Sequence, residues 1–122
     1  LTKQGCLHVS EAQVEQHVRE RMEADGWYVL KVDAGTSRPG SKRRDIPAGH
    51  ADLVAAIPSI LGAADVRFME LKGTNAHTSK ARKAAQTAWR LDMEHRGFVC
   101  YQAADGDPDP IGSWTDWYEG VK

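Results

Sequence analysis

Two short apolar runs joined by one turn constrain this chain more than any other feature. Asp52-Leu53-Val54-Ala55-Ala56-Ile57 and Val66-Arg67-Phe68-Met69-Glu70-Leu71 have strand length, and Pro58 and Gly62 lie between them. Such runs, rich in apolar and β-branched residues and bounded by breakers, read as strands. A connection of this size pairs them antiparallel. The first run is apolar after Asp52, which suits a central strand. With the turn centred near residue 61, Asp52 falls opposite residue 70.

Alternate strand residues share a face, so Glu70 and Lys72 project together with Phe68, while Met69 and Leu71 point the other way. Carboxylates converging from Asp52 and Glu70 repel unless something positive lies between them, and a divalent cation is the simplest candidate. A carboxylate-held cation beside an ammonium suits phosphodiester hydrolysis, where charge on the scissile phosphate must be offset and a water polarised. An acid-x-Lys triplet alone also fits a solvated edge strand with a cross-strand ion pair, so the neighbouring motifs decide.

Upstream, Ser10-Glu11-Ala12-Gln13 has the form of a capping box, with Val9 placed to staple against Val14. It predicts a helix from Glu11 to about Asp25, ended by Gly26. Val14, Val18 and Met22 form its apolar stripe, with Glu11 inside the stripe and Glu15 at its edge. An inward carboxylate needs a cation, a donor or a metal, which makes Glu15 and Glu11 candidate site residues. For Glu11 a favourable position on the helix dipole is the other reading. Trp27 to Val32 reads as the first strand, and 33–49 as a loop broken by Gly35, Pro39, Gly40 and Pro47. Arg38, Lys42, Arg43 and Arg44 in its middle either contact phosphates or form a solvated turn.

Beyond Lys72, Thr78 or Ser79 can cap a helix running to about Arg96 before Gly97. Ala84, Ala88 and Leu91 are its expected sheet-packing stripe, with Gln86, Trp89 and Met93 aligned on another side. Lys80, Arg82 and Lys83 put positive charge in its first turn against the helix dipole, which a nucleic-acid phosphate would relieve. Phe98 to Gln102 follows as a fourth strand, reached by a helical crossover and hence parallel to its neighbour. Asp105 to Pro110 lacks calcium-loop spacing and reads as a bland turn. The segment with Trp114, Trp117 and Tyr118 packs back on the core or on a second subunit.

A length of 122 residues fits one domain, with a core over about 10–102 and an aromatic extension over 103–122. The net charge of −1 supplies no global attraction for nucleic acid, so such binding must come from local Lys and Arg clusters. Cys6 and Cys100 are too few and too distant for a disulfide framework, and as free thiols they favour an intracellular, cytoplasmic setting. No run approaches the roughly 20 apolar residues of a membrane span, and the residues from Leu1 onward show no basic segment followed by an apolar one.

The order is helix with Glu15, strand, loop, strand opening on Asp52, strand carrying Glu70-Leu71-Lys72, helix, strand. It resembles the PD-(D/E)XK nuclease superfamily, and in detail its VRR-Nuc branch, small nucleases of phages and bacteria also found within larger repair nucleases. The similar pieces are Ser10-Glu11 with Glu15, Gly49-His50-Ala51-Asp52-Leu53, Phe68-Met69-Glu70-Leu71-Lys72-Gly73, and Gln86 with Trp89. Together they cover roughly residues 10–102. The family usually has Pro before the metal-binding Asp, and Ala51 stands there instead. The resemblance implies an α/β, restriction-endonuclease-like core with a central mixed four-stranded sheet flanked by helices, in the order αβββαβ. It also implies that Asp52, Glu70 and the Leu71 carbonyl bind Mg²⁺ or Mn²⁺, with Lys72 orienting or activating the attacking water. Glu15 would complete the site, and Gln86 would position Lys72 or the substrate phosphate. His50 and His77 lie near these motifs but are expected to be loop residues. The implied activity is a structure-selective DNA endonuclease acting on flap or branched DNA and leaving 5′-phosphate and 3′-hydroxyl ends. A homodimeric Holliday-junction resolvase and a non-catalytic DNA-binding module on the same scaffold are the alternatives.

Overall fold

Ser10 starts the first helix through both bonds of the capping box. Its hydroxyl accepts the Gln13 N–H at 3.1 Å, and the Gln13 side chain accepts the Ser10 N–H at 2.8 Å. Helix α1 (Glu11–Ala24) follows, with Val14, Val18 and Met22 buried as the periodicity requires. The computed structural model describes residues 8–32, 49–58, 62 and 64–120. Cys6 and the basic positions Arg38, Lys42, Arg43 and Arg44 lie outside the described residues.

After α1 come β1 (Tyr28–Lys31), β2 (Leu53–Pro58), β3 (Ala64–Glu70), α2 (Lys80–His95), β4 (Val99–Gln102) and α3 (Pro110–Gly120). These four strands of the described residues form one mixed sheet in the order β1-β2-β3-β4. β1 and β2 pair antiparallel, as do β2 and β3, whereas β4 returns parallel to β3 after the α2 crossover. The hairpin register is the one that the turn position gives, with Leu53 opposite Met69. Among the described residues the fold is thus α/β, with a single open sheet and three helices.

One sheet face, carrying Val29, Leu53, Ala55 and Met69, closes a core with the α1 stripe and with Trp114 and Tyr118 of α3. The aromatic C-terminal segment therefore packs back on the core, one of the two placements expected for it, and as α3 it adds a helix after the expected order αβββαβ. Its rings stack at 4.8 Å, and the Trp114 indole donates to the Met69 sulfur at 3.4 Å. α3 opens with Pro110 in its first position, and the Asp109 carboxylate accepts the Gly112 N–H at 3.1 Å.

α2 covers the opposite face over β3 and β4, and here the expected packing is corrected. Ala84, Ala88 and Leu91 face solvent, whereas Gln86 is buried and Trp89 meets Phe68 edge-on at 5.2 Å. The large apolar surface of Trp89 and Met93 gains more from burial than an alanine stripe does. Gln86, on the same side, also has a buried partner to satisfy. No helix among the described residues is long and apolar enough to cross a membrane.

Candidate functional site

The hairpin register carries Asp52, just before β2, to the end of β3 where Glu70 lies. Backbone bonds hold it there: the Asp52 N–H donates to the Met69 carbonyl at 3.0 Å, and its carboxylate accepts the Leu71 N–H at 3.1 Å. Gly49 allows the approach. Its φ of +81° and its contact with α2 leave no room for a side chain, since a Cβ there would overlap the Ala85 carbonyl.

Gly73 does the same for α1. A Cβ at Gly73 would lie 2.7 Å from both the Val9 carbonyl and the Glu11 nitrogen. Thr74 closes the junction, its N–H donating to the Val9 carbonyl and its hydroxyl accepting the Val9 N–H, both at 2.8 Å. The first turn of α1 is thereby pressed against the end of β3, and Glu11 reaches the site.

Glu11, Asp52, Glu70, Leu71, Lys72, Arg82 and Gln86 line a cavity of about 370 Å³ that continues along His77, Thr78 and Ser79 at the start of α2. Glu70 is only 7% exposed and Lys72 only 5%. Gln86 donates its side-chain N–H to Glu70 at 2.6 Å, and its own buried carbonyl oxygen has no hydrogen-bond partner among the described residues. Burial pushes the Glu70 carboxyl up to about 9, helped by its hydrogen bond with Asp52, by the Asp52 and Glu11 charges, and opposed by Lys72. Glu11 is raised too, by desolvation first and then by Asp52 and Glu15. Three acids thus crowd into one space, and burial with their mutual repulsion favours the protonated form of Glu70 and Glu11.

Asp52, Glu70, Leu71, Lys72 and Gln86, named from the sequence, come together with Arg82. Glu15 does not. Its carboxylate pairs with Lys31 at 3.2 Å and Arg19 at 4.0 Å, off the cavity lining. One helical turn separates the two acids, and only Glu11, in the turn fixed by Gly73, reaches the strand end. Lys80 is exposed outside the cavity, and His50 turns its ring towards the Ala51 carbonyl at 2.7 Å.

Gln86 touches Glu70, and it is Asp105 that holds Lys72. The turn read as bland contributes a carboxylate lying 3.1 Å from the Lys72 ammonium and 3.2 Å from that of Lys83. The same carboxylate accepts the Thr78 N–H and hydroxyl, each at 2.8 Å. These bonds, the Thr78 N–H foremost, hold the Asp105 carboxyl well below the usual carboxylate range. No local signal marks Asp105, because its partners lie 22 to 33 positions away in the chain.

Among the described residues, no group of three or more His, Cys, Asp or Glu side chains is arranged to hold a metal ion. The available hard donors are the Asp52 and Glu70 carboxylates with the main chain of Leu71, a set compatible with magnesium, which takes one or two carboxylates and retains waters. Comparison with protein-family models, characterised proteins and solved structures gives no match for this chain.

Proposed function

We propose that this chain is a metal-dependent DNA endonuclease of the VRR-Nuc type, built on a restriction-endonuclease-like core and selective for flap or branched DNA. The observation that carries the reading is the convergence of Asp52 and Glu70 with Lys72 on one cavity lining, where burial first and then Asp52 raise the proton affinity of Glu70. Such a pair gains most from a small hard cation.

Asp52, Glu70 and the Leu71 carbonyl would hold Mg²⁺ or Mn²⁺. When bound, the ion polarises water and offsets the phosphate charge. Gln86 fixes the Glu70 carboxylate by its short bond. Lys72 donates to the attacking water or to a non-bridging phosphate oxygen. Glu11 takes the part expected of Glu15, completing the acidic rim through water. Arg82, with Thr78 and Ser79 at the start of α2, receives a substrate phosphate on the cavity's basic side.

The test is incubation of the purified chain with single-stranded, linear duplex, flap and four-way-junction DNA in Mg²⁺, Mn²⁺ or EDTA, beside Glu70→Ala and Lys72→Ala. Metal-dependent cutting by the wild type and none by either folded variant is expected. Paired symmetrical cuts in junctions by a dimer would redirect the reading to a resolvase. Binding without cutting would replace it with a binding module.

A further inference from the structure

We propose that Asp105 is the positioning residue for Lys72, holding its ammonium in reach of substrate through a direct ion pair. The inference rests on the hydrolase reading above and extends it to the β4–α3 loop. Lys72 has a long flexible stem and is only 5% exposed, so its ammonium needs a partner within the site. Three acids on the cavity wall compete for it. Pairing with Glu70 or Asp52 would neutralise the very oxygens that must hold a cation. Asp105 draws the ammonium to 3.1 Å instead.

The carboxylate is suited to this because it cannot swing. Thr78 donates from its N–H to one oxygen and from its hydroxyl to the other, so both oxygens are tethered to the loop leading into α2. Lys83 holds it from the first turn of that helix at 3.2 Å. Behind it, the Ala103 N–H donates to the Glu70 carbonyl at 2.9 Å, tying the start of the loop to the strand that bears Glu70. Lys72 and Glu70 are thus placed by one connected piece of backbone. Gln86 governs the carboxylate and Asp105 the ammonium.

The experiment compares wild type, Asp105→Asn and Asp105→Glu in Mg²⁺, reading kcat and KM on the best-cut DNA, thermal unfolding, and the ammonium signals of ¹⁵N-lysine-labelled protein. Asn at 105 keeps an oxygen for the Thr78 N–H, so the fold is retained. Expected is a kcat about 10–100-fold lower with KM within about twofold, the range for residues that orient a reacting group through a hydrogen bond. The ordered Lys72 ammonium signal, assigned by its absence in Lys72→Ala, is lost as well. Asp105→Glu restores the charge but displaces the ammonium, and is expected to recover part of kcat. A folded Asp105→Asn with wild-type kcat, or a loss confined to KM, overturns the proposal. Should Asp105→Asn not fold, Asp105→Glu is read by the same criteria, and a wild-type Lys72 ammonium exchanging like a free lysine overturns it without any variant. A wild type that cuts nothing with metal overturns the hydrolase reading and the catalytic role together, while the ammonium signal still reports separately whether Asp105 holds Lys72.

Discussion

Replacing Glu70 by Gln should stabilise the metal-free protein at alkaline pH and abolish its response to magnesium. Folding raises the Glu70 carboxyl from an ordinary 4.5 to about 9, mainly through burial and then through Asp52. The folded state therefore binds this proton more tightly than the unfolded chain does. The stability it contributes is fully present below about pH 4.5 and is lost as pH rises towards about 9. At about 1.4 kcal/mol per tenfold in proton affinity, the full shift sets an upper bound of about 6 kcal/mol. Relaxation and water entry reduce this to an effective loss on the order of 3 kcal/mol. Gln copies the protonated acid: its carbonyl accepts from Gln86 as Glu70 does at 2.6 Å, and its amide donates to Asp52. Urea unfolding in EDTA should show the variant equal to wild type near pH 4.5 and more stable by about 3 kcal/mol near pH 9. Magnesium at a hundredfold excess over its Kd should add about 2.7 kcal/mol to wild type and nothing to the variant. A variant less stable than wild type at pH 9, or a difference that does not change with pH, would refute the argument.

Three further substitutions probe the supports of the site and core. Gly73→Ala places a methyl 2.7 Å from the Val9 carbonyl and the Glu11 nitrogen, so urea unfolding should show a loss of about 1–3 kcal/mol from overpacking. Any cleavage activity should fall with it, because Glu11 is pushed from the cavity. Trp114→Ala empties the centre of the core, where the ring is fully buried and stacked on Tyr118, and should cost about 3–5 kcal/mol. A loss below about 1 kcal/mol would mean that α3 is dispensable. Arg67→Met removes a buried guanidinium that lies 4.7 Å from the Trp27 ring centre, donates one nitrogen to Asp65 at 3.4 Å and has two nitrogens without a partner among the described residues. The cation–π attraction, about 2 kcal/mol when desolvated, is of the same order as the cost of the orphaned donors. Stability should therefore change by less than about 2 kcal/mol, and a larger fall on urea unfolding would show that the cation holds the aromatic layer together.

What could be read in advance was what local chemistry encodes. The Ser10–Gln13 box is complete within four residues, and the hairpin register follows from one turn, so α1 and the Asp52–Glu70 juxtaposition are legible without coordinates. The helix α3 was not read: Asp109 before Pro110 has the form of an N-cap followed by a favoured first residue, but Gly112 and two Trp in the segment obscure it. Choices between neighbouring faces were not legible. Glu11 and Glu15 differ by one turn, and what separates them is Lys31 on β1 and the close passage of Gly73, both long-range facts. On α2 two stripes competed, and the sheet accepted the one with greater area and with an amide for Glu70. Asp105 is the clearest case. Nothing near it in sequence distinguishes it from an ordinary turn residue, yet the parallel return of β4 delivers it to Lys72. A motif names the groups that react. The partners that hold them in place come from topology, and a turn aspartate far along the chain is where such a partner escapes a motif.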